Sequence, residues 1–98
     1  MENQHRKITG YRELDQNEIN LMNEIKALGP LIENVIIKVN DHVSSQRLRA
    51  NGDVYAPDES LLQRLDDATP ERFVALAKTD FQTALMYLVR SVAQPTTF

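Results

Sequence analysis

Cysteine is absent from all 98 positions, which excludes disulfides, thiolate metal sites and cysteine nucleophiles together. No apolar run approaches the ~20 residues of a membrane span. The opening Met1-Glu2-Asn3-Gln4-His5-Arg6-Lys7 has no apolar core behind its charges, so a signal peptide is not expected either. The phosphate-binding GxxxxGK[ST], the dinucleotide GxGxxG, the HExxH helix and CxxC are all missing, which removes the common nucleotide-hydrolase and metal signatures. There is also no excess of positive charge. The formal charge is −3 and the pI about 5.3, so the chain is not built to coat a DNA or RNA polymer. An anionic ligand must be met by local groups.

The groups that catalysis would use are scattered. His5 and His42 are the two histidines, and Asp41-His42 is adjacent rather than spaced i, i+4, a poor metal pair on a helix. Asp58-Glu59 and Asp66-Asp67 read as capping and turn carboxylates, not as a dyad. Ser44, Ser45, Ser60 and Ser91 have no histidine near them in sequence. No catalytic residue, metal site or cofactor is expected.

What is present is helical punctuation. Residues 1–13 form a polar arm carrying His5, Arg6, Lys7 and Arg12, with Gly10 at a turn position before Tyr11. Asp15 as N-cap and Glu18 three residues later make a capping box, with Leu14 and Ile19 in the staple positions. Ile19, Met22, Ile25 and Leu28 then recur at helical spacing, and Gly29-Pro30 is read as the stop. The spacing predicts a helix over 15–28, a second over 31–49 and a third over 70–93, with 51–68 as the connection. The second carries Val35, Ile36, Val39 and Val43, so a strand at 35–39 competes with it. Leu61, Leu62 and Leu65 leave room for a short helical turn inside the connection. Thr69-Pro70-Glu71 opens the third helix and Pro95 ends it. The expected fold is all-α: one small domain over 1–98 with two or three main helices and an N-terminal arm. A chain this short buries only about 65% of its unfolded surface. Helices of about 30 Å therefore project beyond one protomer, so a homo-oligomer is expected.

Few side chains suggest ligand chemistry on their own. A tyrosine beside a glycine and between cations, as in Gly10-Tyr11-Arg12, can stack on a base while a cation meets phosphate. Taken alone, Tyr11 is more simply a packing residue, and Lys26 a dipole-compensating surface lysine. Arg72 sits in a first helical turn, where a cation opposes the dipole, which hints at an anionic partner. Tyr87 and Arg90 read as interface or surface groups.

Two blocks of sequence change that balance. Gly10-Tyr11-Arg12-Glu13-Leu14 with Glu18-Ile19-x-Leu21-x-x-x-Ile25-Lys26 resembles the opening of the phage anti-CBASS cyclic-nucleotide sponge family. Arg72-Phe73-x-x-x-Ala77-Lys78-Thr79-Asp80-Phe81-Gln82, then Met86 and Leu88-Val89-Arg90-Ser91-Val92-Ala93-Gln94-Pro95, is similar to its closing helix. The middle of the chain, 31–68, matches more loosely. In many members tryptophan follows the arginine where this chain has Phe73.

The resemblance implies a small all-helical homo-oligomer, typically a hexamer, in the cytoplasm of an infected bacterial cell. It would bind cyclic di- and trinucleotides made by CD-NTases and withhold them from their effector without cleaving them. The family's stacking tyrosine and phosphate-facing lysine fall on Tyr11 and Lys26, and the arginine of a trinucleotide-type site falls on Arg72. Two stacked bases and two charge-assisted contacts sum to roughly 5–12 kcal/mol gross. Nanomolar binding needs about 12 kcal/mol net of association costs. Backbone N–H groups near Gly10 and the side chains of Arg12 and Asn23 are therefore expected to contribute. The competing readings are a phosphodiesterase for the same signals and a helical protein–protein interaction module.

Overall fold

The computed structural model describes residues 12–52 and 57–97. Secondary structure among them is helical throughout: α1 Gln16–Asn51, α2 Glu59–Ala68 and α3 Pro70–Ala93. The all-α expectation holds, and the strand at 35–39 is overturned because those residues lie inside α1. Among the described residues, no helix is long and apolar enough to cross a membrane.

The start of α1 is the capping box read from the sequence. The Asp15 carboxylate accepts from the Glu18 N–H at 2.8 Å, and Glu18 accepts from the Asp15 N–H at 2.9 Å. Two of the donors that every helix start leaves over are thereby satisfied.

Gly29-Pro30 does not end the helix. The two helices expected over 15–28 and 31–49 are one, with Pro30 inside it. An interior proline removes a hydrogen bond and costs about 3 kcal/mol, so something must offset it. The half-buried positions Met22, Ile25, Gly29, Ile32 and Ile36 step by three and four straight through the proline, leading on to buried Val43 and Ala50. The apolar stripe keeps its phase, and its burial outweighs the local defect. Glycine before the proline also has no Cβ to meet the ring.

α2 lies inside the stretch expected as a connection. Asp58 caps it, accepting from the Leu61 N–H at 3.0 Å. Leu61 and Leu65 are buried with Ala50 of α1, and Leu62 packs against them. Thr69 alone separates α2 from α3. It sits in the left-handed region at φ 47° and donates its N–H to the Leu65 carbonyl. Its own carbonyl accepts from Arg72 and Phe73, so one residue closes one helix and opens the next. α3 ends as Gln94 turns to φ 52°, with its N–H on the Arg90 carbonyl and Pro95 following.

The chain forms two compact units, Met1–Leu31 with Phe81–Phe98, and Ile32–Asp80. In the first, Arg12 joins the two segments. It makes a charge-assisted pair with Glu18 and donates to the Val92 carbonyl at 2.7 Å, which sets the start of α1 beside the end of α3. In the second, Arg47 of α1 reaches Asp66 of α2 at 2.7 Å and Glu71 of α3 at 2.6 Å. One guanidinium thus ties three helices together.

Buried apolar side chains are few: Val43, Ala50, Leu61 and Leu65 among the described residues. All four belong to the second unit. The first leaves Leu21, Leu28, Leu31 and Leu88 exposed, with Leu31 at 65%.

A candidate anion-binding cavity beside Lys26

Lys26 lies on α1, one turn before Pro30. In the first unit it lines a cavity of about 660 Å³ between α1 and the C-terminal part of α3. That volume is in the range of small-molecule sites, roughly 300–1,000 Å³. Ile25, Leu85 and Val89 form a half-buried apolar floor. Gly29 adds no side chain, and a Cβ built there would meet nothing within 4 Å. Arg90 enters from α3, and Tyr87 stands beside it at 67% exposure.

The cavity's ionisable lining is Lys26, Tyr87 and Arg90, and no carboxylate or histidine is among the described lining residues. Neither cation has a hydrogen bond or ion pair to another described side chain. Two unpaired cations over an apolar floor suit a ligand with flat apolar surfaces and at least two negative charges. Pro30 has no N–H, so the Lys26 carbonyl lacks its regular helical donor.

The other residues singled out from the sequence are placed as follows. Gly10 and Tyr11 lie outside the described residues. Arg12 is committed within the fold: its guanidinium spans Glu18 and the Val92 carbonyl. That pairing holds the Glu18 carboxyl down to about 2 and raises Arg12 above its ordinary value. The Arg12 hydrogen bond is the largest cause for Glu18, followed by the Asp15 N–H. Asn23 is exposed on α1 and does not line the cavity. Arg72 belongs to the second unit, its guanidinium 5.6 Å from the centre of the Phe73 ring. Phe73 in turn borders a smaller apolar cavity of about 430 Å³ with Val39 and Val43.

Arg90, read from the sequence as an interface or surface group, lines the cavity. Its signal was modest: Tyr87 and Arg90 stand at i, i+3, so an aromatic ring and a cation share one helix face. Only the packing of α3 against α1 within this unit brings them to Lys26.

The model of the family described as "Acb2/Tad1, hairpin domain" matches residues 3–93. The chain belongs to this family. It is also 41% identical to Anti-CBASS protein 2 of Pseudomonas phage JBD67, with 97% of each chain covered. Membership therefore spans the arm, all three helices and the Lys26 cavity, and agrees with the two-block resemblance.

Proposed function

We propose that this chain binds and sequesters cyclic oligonucleotide second messengers, cyclic dinucleotides first, without cleaving them. It thereby blocks CBASS signalling in the infected bacterial cell. The observation that carries this reading is the Lys26 cavity, which offers cationic groups over an apolar floor within a chain of this family. Family membership and the name of the phage relative point to the same role.

Tyr11 supplies a ring to stack on a base and Lys26 an ammonium to face a phosphate. Retention without hydrolysis fits a lining that offers no described carboxylate or histidine as a general base. Arg72, beside Phe73, is the corresponding candidate for a cyclic trinucleotide.

The chain acts as a homo-oligomer, a hexamer by resemblance to its family. Leu21, Leu28 and Leu31 form an exposed stripe at i, i+7 and i+10 on α1, and Phe81 and Leu88 form one on α3. A two-fold pair of copies presents Tyr11 and Lys26 twice, matching the two bases and two phosphates of the ligand.

The test is calorimetric titration of the full chain with 3′,3′-cyclic di-AMP and 3′,3′-cyclic GMP-AMP, followed by denaturation and chromatography of the released ligand. Saturable binding with recovery of intact cyclic nucleotide is expected. A linear product would make the protein a phosphodiesterase.

A further inference from the structure

We infer that Gly29 and Arg90 complete the Lys26 cavity: the bare backbone at Gly29 makes room for the ligand's ring, and Arg90 supplies a second cation beside Lys26 for the phosphate held there. This rests on the reading of the cavity as a cyclic-dinucleotide site.

Gly29 is the first line of argument. A glycine inside a helix is less stable than alanine, because it loses more backbone freedom on folding. Such a position is normally explained by a close approach or by a positive φ. Neither holds at Gly29: the residue is helical, and an added Cβ would meet nothing within 4 Å. The neighbouring proline disfavours helical geometry at a residue that carries a Cβ, and glycine eases that clash; the space it leaves bare is a second consequence. The open space that glycine leaves belongs to the cavity floor, flanked by Ile25 and Leu85. A larger side chain would fill the site.

Arg90 is the second. It lines the same cavity from α3, with no described hydrogen-bond or ion-pair partner. It stands in the last turn of that helix, where the dipole favours a cation, so it is held ready as a charged group. A stacked ring and one ammonium per copy fall short of tight binding. A planar guanidinium adds a bidentate phosphate contact that lysine cannot reproduce. Each phosphate of the ligand then meets two cations of different shape, the Lys26 ammonium and the Arg90 guanidinium of one copy.

The experiment compares wild type, Lys26→Ala, Gly29→Leu, Gly29→Ala, Arg90→Met and Arg90→Lys by titration with 3′,3′-cyclic di-AMP. Helicity, melting temperature and assembled mass are recorded for each. Gly29→Leu is expected to keep its helicity and assembled mass yet lose affinity at least about tenfold, and Gly29→Ala to lose a few-fold. Arg90→Met is expected to lose roughly ten- to hundredfold, with partial recovery in Arg90→Lys. If Gly29→Leu alters the assembled mass, Gly29→Ala carries the test, and wild-type affinity in it overturns the role of Gly29. Wild type and Lys26→Ala separate the two levels. No binding by wild type overturns the functional reading itself. Binding by wild type that Lys26→Ala abolishes but Gly29→Leu and Arg90→Met leave intact overturns only the present inference.

Discussion

Arg12 and Glu18 stand six residues apart and close on each other across the start of α1, Nη1 lying 2.9 Å from Oε1. The same guanidinium holds the carbonyl of Val92, eighty residues away in the chain. The residue that follows Tyr11 is therefore fastened to both helices of its unit. Glu18 serves the capping box and the ion pair at once.

The acid side of the stability profile should report this pair. A carboxyl whose folded pKa lies below its unfolded value stabilises the fold above the unfolded value. That contribution is lost as pH falls through the folded one. For Glu18 the window runs from about 4.5 down to about 2. Melting temperature is expected to fall across that window in wild type and to fall less in Glu18→Gln. Thermal melts monitored by circular dichroism at stepped pH measure both.

Arg47 should hold the second unit together. Its three hydrogen bonds run to Asp66 and Glu71 on two different helices, and the bond to Arg47 lowers the Glu71 carboxyl. Arg47→Ala is expected to lower the melting temperature by a few degrees. It should also speed amide exchange across α2 before the rest of the chain, as read by hydrogen exchange with mass spectrometry.

Pro30 is a defect that the stripe outweighs. Pro30→Ala restores the missing N–H for Lys26 and is expected to raise stability by about 1–3 kcal/mol in chemical denaturation. Part of the gain is offset because alanine also frees the unfolded chain.

The exposed leucines should be the glue between copies. Leu28→Lys with Leu31→Lys is expected to reduce the assembled mass in light scattering while helicity persists. A pure surface role would leave the mass unchanged.

Much of this molecule is legible in its sequence where the signals are local. The capping box of Asp15 and Glu18 uses residues three apart. The limits of α3 coincide with Thr69-Pro70 and with the turn before Pro95. Gly29-Pro30 is a strong local breaker signal, but it acts on one turn only. The unbroken phase from Met22 to Ile36 was the stronger signal, since tertiary burial decides helix stability. The Arg47 cluster and the meeting of Lys26 with Arg90 are long-range, and no spacing along the chain contains them.

The most direct test of the account is titration of Lys26→Ala and Tyr11→Ala with a cyclic dinucleotide, with assembled mass recorded alongside. Each variant should lose binding by at least about tenfold and keep the wild-type mass. Wild-type affinity in both variants would contradict the account, because the ligand would then be held somewhere other than the Lys26 cavity.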